Sequence, residues 1–286
     1  TQIHSSNTRS AENGGRDCKI DAYKLFIPFQ FWFCRNPGMA LPLIALQYTD
    51  ITLNLDFRTF DECIWASTQT TTSSNQFVTS TGVNSIGSKS LSSTNVYVDY
   101  IYLDTDERRR FAQVSHEYLI EQVQHTSGTD TSLDLNFNHP VKELVWTGAY
   151  TATSGVRAAF QSTSKFKLVL NGHDRFAERP LQYFTQTQVW QHHTGTPVQC
   201  DSFKLINNDQ NDNVATTGKA STDEIAVYSF ALKPEEHQPS GTCNFSRIDN
   251  AQLKNSGTAN ANANVYAVNY NVLRVMSGMG GLAYSN

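Results

Sequence analysis

Charged residues are scarce in this chain of 286 residues, and neither sign dominates. Lysine and arginine number 22, aspartate and glutamate number 26, and the net charge is -4, so charged side chains make up only 17% of the residues. A surface that binds nucleic acid directly needs a concentration of basic residues. We therefore expect no direct nucleic-acid contact.

A long apolar run and a cysteine framework are also missing. No run approaches the roughly 18 to 20 residues that span a bilayer, and residues 1–10 show no signal-peptide pattern. We expect free thiols in a reducing cytoplasm rather than disulfides or a zinc site, because the cysteines are odd in number and form no Cys-x-x-Cys pair. The five are Cys18, Cys34, Cys63, Cys200 and Cys243.

The chain is rich in Ser, Thr, Asn and Gln, and aromatic residues reach 11%. This composition favours short strands joined by polar loops. Apolar and polar residues alternate over 51–57, 133–138 and 165–170, which is the pattern of a strand with one buried face. Composition and periodicity together predict an all-β protein.

Helical periodicity is limited to one short segment. Asp104 or Thr105 is a suitable N-cap, Asp106 and Glu107 fall in the first turn, and three arginines at 108–110 follow, which suits the helix dipole. Residues 67–94 are almost all Ser, Thr, Gln, Asn and Gly, which predicts a long polar surface loop.

The number of strand-like segments predicts the architecture. From Tyr118 onward there are eight, the number in a jelly roll of two antiparallel sheets. They are 119–123, 133–137, 143–150, 166–170, 181–190, 225–232, 243–253 and 265–276. Residues 114–286 are therefore predicted to form a complete jelly roll.

Three earlier segments, 27–33, 48–57 and the strand that begins at Asn95, repeat the order of the last three strands. Residues 1–113, including the loop 67–94, are therefore predicted to carry the C-terminal strands of a first jelly roll. Three strands cannot close a sandwich, and the chain opens without Met. We expect a fragment whose five remaining strands precede Thr1.

Two groups of titratable residues could suggest a chemical site. His192 and His193 could be joined with His173 and Asp174 in a metal site, but their spacing is not that of metal ligands, and exposed loop histidines are favoured. Asp104, Asp106 and Glu107 with the arginines at 108–110 could suggest a phosphate or acid–base site. Solvated or interfacial ion pairs on an inter-domain helix are the favoured interpretation.

Glycines and a glycosylation triplet offer weaker signals. The Ser240-Gly241 pair and residues 277–281 lack the strand-turn-helix context of a phosphate loop, and turn chemistry explains them. The tail 277–286, small and Gly-rich, suits docking in a narrow crevice. Asn244-Phe245-Ser246 is the only Asn-x-Ser/Thr triplet, and its place in a predicted strand argues against modification.

Trp146 and Trp190 leave two interpretations open. They could line a sugar-binding face, because jelly rolls also serve as lectins, but core or interface positions are favoured. No Gly-x-Ser-x-Gly elbow is present to mark a serine hydrolase. We therefore predict no catalytic, cofactor-binding or metal residues, no cofactor and no enzymatic activity.

Several sequence blocks resemble those of the major capsid proteins of nucleocytoplasmic large DNA viruses. The blocks occur in the expected order and cover most of the chain. They are 31–38 (FWFCRNPG), 40–48 (ALPLIALQY), 98–104 (VDYIYLD), 107–111 (ERRRF), 119–124 (LIEQVQ), 230–232 (FAL), 238–241 (QPSG), 244–249 (NFSRID) and 270–274 (YNVLR) with the glycines that follow.

The resemblance implies an all-β double jelly roll and a structural role. Its subunits would form homotrimers, and these pseudo-hexameric capsomers would tile an icosahedral virion capsid assembled in the host cytoplasm. The implied partners are other copies of the chain, minor capsid proteins and an internal membrane, and the chain by itself should not make a stable capsomer. The alternative function is a carbohydrate-binding β-sandwich of the virion surface.

Overall fold

A computed structural model describes residues 24–57, 65–69, 75–79, 93–148, 164–195, 225–256 and 263–284, with the backbone alone at 65–69 and 75–79. The chain divides into two compact units, Thr1–Ala40 and Leu41–Asn286. No helix among the described residues is long and apolar enough to cross a membrane.

The described part of the first unit contains two 3₁₀ helices, Trp32–Cys34 and Pro37–Met39. The prediction of a strand over 27–33 is therefore wrong at its C-terminal end, and no strand is assigned to the residues before it. The Cys34 amide donates to the Phe31 carbonyl at 2.9 Å, and the Asn36 side chain accepts from the Gly38 amide at 2.9 Å. These local bonds close the two turns within the segment itself.

Residues 51–57 and 93–104 of the second unit run without strand assignment, so the strands predicted there are not formed in the described structure. The segment 67–94 was predicted to be a polar loop, but β1 (Trp65–Gln69), which begins two residues before it, pairs with β2 (Asn75–Thr79) as an antiparallel hairpin. The rest of that segment before residue 93 lies outside the described residues.

The predicted short helix is confirmed as α1, Thr105–Gln113. The Asp104 carboxylate accepts from the Thr105 amide at 2.7 Å, and Asp106 and Glu107 occupy the first turn. Acidic side chains at this end stabilise the unpaired amides and the positive pole of the helix dipole.

The first sheet of the jelly roll has four strand positions. Its strands are β3 (His116–Gly128), β5 (Pro140–Gly148), β9 (Ile225–Ser229), β10 (Cys243–Asn244), β12 (Ala263–Met276) and β13 (Met279–Leu282). β12 pairs with β3 along one side and with β5 and then β13 along the other. β5 pairs on its far side with β9 and β10.

The second sheet also has four positions. Its strands are β4 (Ser132–Asp134), β6 (Lys165–Leu170), β7 (His173–Asp174), β8 (Arg179–Pro180) and β11 (Ala251–Asn255). β11 lies between β4 and β6, and the short β7 and β8 share the far side of β6. All pairs in both sheets are antiparallel, and successive strands alternate largely between the sheets, so the predicted jelly roll is confirmed.

Two of the eight predicted strands are corrected by the structure. Residues 181–190 form a π-helical segment, Tyr183–Thr187, and a short helix α2, Gln188–His192. Leu181, Phe184 and Gln188 are buried at helical spacing, which outweighs the apparent alternation. The predicted strand 243–253 is split into β10 and β11 by a 3₁₀ helix, Phe245–Arg247, which the Asn244 side chain caps.

The core lies between the two sheets. Trp146 of β5 is 1% exposed, and its ring meets those of Phe166 and Phe184 at centroid distances of 5.6 and 5.0 Å in edge-to-face geometry. Aromatic rings packed in this way contribute both buried area and directional contacts. The following core residues come from both sheets: Leu133, Leu135, Val141, Leu144, Leu168, Leu253 and Val265.

Candidate functional site

The residues weighed as a possible metal site, and favoured instead as loop histidines, lie in separate elements. His173 and Asp174 lie in β7, where Asp174 pairs with Lys167 at 3.1 Å, whereas His193 follows the end of α2 and pairs with Glu235 and Glu143. Among the residues that the structure describes, no group of three ligand side chains could hold a metal ion.

His193 instead joins two carboxylates. Its Nδ1 lies 3.0 Å from Glu235 Oε1, and its Nε2 lies 3.5 Å from Glu143 Oε2, too poorly aligned for a hydrogen bond. The Thr194 hydroxyl also donates to Glu235, and this bond is the main cause of a lowered Glu235 pKa. The contact ties the end of α2 to β5 and to the turn after β9.

Beside this contact lies a buried ion pair that sequence reasoning missed. Lys142 Nζ is 2.6 Å from Glu121 Oε1, and the two side chains are only 2% and 9% exposed. Lys142 Nζ also lies 5.5 Å from the centre of the Tyr270 ring, a cation–π distance. A β-bulge in the pairing of β5 with β12 turns Lys142 to this face of the sheet. The sequence signal for the bulge is the pair of polar residues between Val141 and Leu144, which breaks the alternation of the strand.

Burial shifts the pKa values of two neighbours of this pair. It raises the pKa of the Glu143 carboxyl, although His193 and Lys142 oppose the shift. Burial, together with the nearby carboxylates Glu121 and Glu143, raises the pKa of Tyr270 to about 12. The cluster connects β3, β5 and β12 across one sheet face, and its geometry supports a structural role.

The charged residues of α1 that could suggest a phosphate or acid–base site lie on the helix surface. Asp106 and Arg109 are 3.8 Å apart, and both side chains are largely exposed. No residue of this helix is buried. Exposed ion pairs of this kind contribute little to stability.

The glycine-containing segments serve turns and close contacts. Gly241 has a φ of +148°, and a Cβ there would lie 2.7 Å from the Phe230 carbonyl oxygen. Ser240 Oγ accepts from the Lys233 amide at 2.9 Å. The tail was predicted to dock in a crevice, but its residues 279–282 form β13, which pairs with β12. The Asn244 side chain accepts from the Ser246 amide at 3.1 Å.

The two tryptophans occupy different environments. Trp146 lies in the core, as the favoured interpretation predicted, so it cannot line a sugar-binding face. Trp190 on α2 is 75% exposed. Gln188 of the same helix accepts from the Ser229 amide of β9 at 3.2 Å, which places α2 at the open edge of the first sheet.

Two segments of the second unit carry runs of exposed large apolar side chains. Along 51–57, every second residue is a large apolar side chain that remains exposed: Ile51, Leu53, Leu55 and Phe57. The segment 96–102 carries further exposed residues: Val96, Tyr97, Val98, Tyr100, Ile101 and Tyr102. Exposed apolar groups in such number mark surfaces that another polypeptide covers. These two segments are therefore candidate interaction sites.

Comparison with protein families covers most of the chain. The family model described as the large eukaryotic DNA virus major capsid protein matches residues 107–217 and 211–281. The model of the major capsid protein N-terminus matches residues 5–104.

Curated relatives carry the same name. The major capsid protein of Pyramimonas orientalis virus is 53% identical over 269 residues, which cover 92% of this chain and 61% of that protein. The major capsid protein of Paramecium bursaria Chlorella virus 1 is 37% identical, over 92% of this chain and 67% of that protein. The chain thus spans between three fifths and about two thirds of the length of these relatives.

Solved structures give the same result for the fold. The PBCV-1 VP54 crystal structure, fitted into a reconstruction of the virophage Sputnik, matches with a TM-score of 0.59 and 33% identity, over 91% of this chain and 70% of that one. A quasi-atomic structure of the PBCV-1 virus capsid matches with a TM-score of 0.57 and 34% identity over the same shares of the two chains. The predicted double jelly-roll class is confirmed.

Proposed function

The chain belongs to the major capsid protein family of large eukaryotic DNA viruses, and on that premise we propose that it is a structural subunit of an icosahedral virus shell. Three subunits associate into a capsomer with pseudo-hexagonal outline, and capsomers pack side by side. The role is architectural, and no catalytic step is assigned to any side chain.

In this proposal the two parts of the chain contribute differently to the subunit. Residues 1–113 supply the C-terminal strands of one jelly roll, and residues 114–286 form the other. Minor capsid proteins and an internal membrane contact the inner side of the shell, which assembles in the host cytoplasm. Trp190, exposed at the sheet edge, serves as a contact between subunits.

The observation that carries the proposal is the exposed apolar surface of 51–57 and 96–102 beside a well-packed sandwich. A subunit that tiles a shell must bury a large area against its neighbours. An isolated soluble protein rarely leaves so many large apolar side chains in water.

Light scattering on the full-length protein tests the proposal. We expect a species of three subunit masses that persists on dilution, and a protein that stays monomeric at every concentration contradicts it. Leu53→Asp should prevent association because it places a carboxylate among the exposed apolar residues. Thr52→Asp is the matched control, since Thr52 is an exposed polar residue of the same segment.

A further inference from the structure

Two hairpin turns of the jelly roll have the same backbone geometry. Asn171 and Gly172 join β6 to β7 with φ values of +50° and +80°, and Ser277 and Gly278 join β12 to β13 with +53° and +82°. Two left-handed residues in succession are typical of a type I′ turn, and glycine suits the second position. Turn chemistry alone therefore explains glycine at both sites.

The surroundings of the two turns differ. A Cβ at Gly172 would meet nothing within 4 Å, whereas a Cβ at Gly278 would overlap the ring of Tyr48. The Tyr48 amide donates to the Gly278 carbonyl at 2.8 Å. A segment more than two hundred residues away in sequence thus lies directly on the second turn.

The contact continues along β13. The Gly280 amide donates to Thr49 Oγ1 at 3.0 Å, and a Cβ at Gly280 would lie 2.9 Å from Leu46 Cδ2. The neighbouring Gly281 has open space at the same place. Gly280 is not in a left-handed conformation, so the turn does not require glycine there, but a Cβ would force the Leu46 side chain to shift.

Other bonds hold each partner in place. Asn271 of β12 donates to the Tyr284 carbonyl at 2.9 Å and accepts from the Tyr284 amide at 3.2 Å, which fixes the end of the hairpin. Before the contact, Pro42 and Ala45 are buried. The Tyr48 ring, however, is mostly exposed, so the contact depends on few groups and can open while the sandwich remains folded.

We propose that the C-terminal hairpin is a docking site for the segment Leu46–Thr49, and that this intrachain contact, the clasp, must be closed for subunits to associate. The second clause rests on the proposed function. The exposed apolar residues of 51–57 follow the clasp directly in sequence. When the clasp is open, this segment gains conformational freedom that association must remove, and the entropy lost opposes assembly.

Hydrogen exchange at the Tyr48 amide measures closure. Gly278→Ala should accelerate this exchange about tenfold or more, because the new methyl group displaces the Tyr48 ring. Gly172→Ala is the control, since it introduces the same left-handed strain with no neighbour in the way. Equal exchange rates at the Tyr48 amide in Gly278→Ala and Gly172→Ala would contradict the proposed clasp.

A second pair of variants keeps the test independent of the turn. Gly280→Val should accelerate exchange at Tyr48, whereas Gly281→Val, whose side chain enters open space, should not. Adding Leu46→Ala to Gly280→Val removes the side chain in the way and should restore slow exchange. If Gly278→Ala does not fold, Thr49→Val opens the clasp from the other partner, because it removes the acceptor for the Gly280 amide.

The link to assembly is read from light scattering of the same full-length variants. We expect Gly278→Ala and Gly280→Val to lower the associated fraction, and Gly172→Ala and Gly281→Val to leave it unchanged. Normal association with rapid exchange at Tyr48 would overturn the requirement for closure. If the unmodified protein does not associate, the proposed function fails, and hydrogen exchange still decides whether the clasp exists.

Discussion

Two segments of this chain have the same alternating sequence pattern and opposite surroundings. Leu133, Leu135 and Phe137, in and just after β4, are between 3% and 9% exposed, whereas the apolar residues of 51–57 are between 37% and 63% exposed. Both segments alternate large apolar and polar residues. The difference lies in the partners, because residues 132–134 pair with β11, and 51–57 is not assigned to a strand.

The comparison shows what alternation predicts. It identifies a segment able to cover an apolar surface with one face, but it does not supply the opposing surface. In the jelly roll, that surface comes from the facing sheet of the same chain. For 51–57 it has to come from elsewhere in the assembled protein, which is why this segment is an interaction candidate.

The largest expected effect contrasts the core with this exposed segment. Trp146→Ala should lower the free energy of unfolding of the chain by about 3 to 5 kcal/mol, because it leaves a cavity between the sheets. Leu53→Ala should change it by less than about 0.5 kcal/mol, because Leu53 is 43% exposed and lies outside the buried core. Urea denaturation monitored by far-UV circular dichroism, which does not depend on the deleted tryptophan, measures both changes in unfolding free energy. Similar decreases in the two variants would contradict the distinction between the two segments.

The next effect contrasts two ion pairs on β3. Glu121→Gln leaves Lys142 buried without its partner and should cost about 3 kcal/mol. Glu117→Gln breaks the exposed pair with Arg274, whose side chains are 54% and 57% accessible, and should cost less than about 1 kcal/mol. The same denaturation experiment gives both values, and a cost at Glu117 equal to that at Glu121 would contradict the burial argument.

A smaller effect concerns the pH dependence of stability. Because burial raises the pKa of Glu143, the folded state binds a proton more tightly than the unfolded state. The contribution of Glu143 to the free energy of unfolding is therefore complete at pH values below the ordinary pKa of a glutamate. It is lost as the pH rises through the raised pKa of the folded state. The pKa of Glu235 is lowered, so its effect on stability has the opposite sign. The stabilisation from Glu235 is lost as the pH falls through this lowered pKa.

The free energy of unfolding, measured from below the ordinary glutamate pKa to above the raised pKa of Glu143, isolates the contribution of Glu143. Glu143→Gln should remove the fall in stability with rising pH. Glu236→Gln removes an exposed carboxylate paired with Lys233 and serves as the control. An unchanged slope in Glu143→Gln would show that its burial does not govern the pH dependence.

Much of the fold could be predicted from local pattern, and the exceptions have physical causes. The helix after Asp104 was predictable because its cap and charges are local, and β6 because its alternation ends at the Asn171-Gly172 turn. Residues 181–190 were misjudged because burial at Leu181, Phe184 and Gln188 follows a helical period hidden among polar residues. Tertiary packing decides whether the segment follows the helical or the strand period, and this packing cannot be read from the sequence.

The candidate sites show the same limit. The absence of metal-ligand spacing around His173 and His192 was readable from the sequence, and the structure keeps these residues in separate elements. The pairing of Lys142 with Glu121 and of Tyr48 with Gly278 joins residues far apart in sequence. No short-range pattern encodes contacts of this kind, although the broken alternation at Lys142 indicated a bulge.

The most direct test of the account is hydrogen exchange across the full-length protein. The central claim is that the apolar residues of 51–57 and 96–102, exposed in the isolated chain, are covered in the assembled protein. We expect slow exchange in both segments, comparable with that of β3 and β12. Unprotected exchange there, beside a protected jelly roll from β3 to β13, would contradict it.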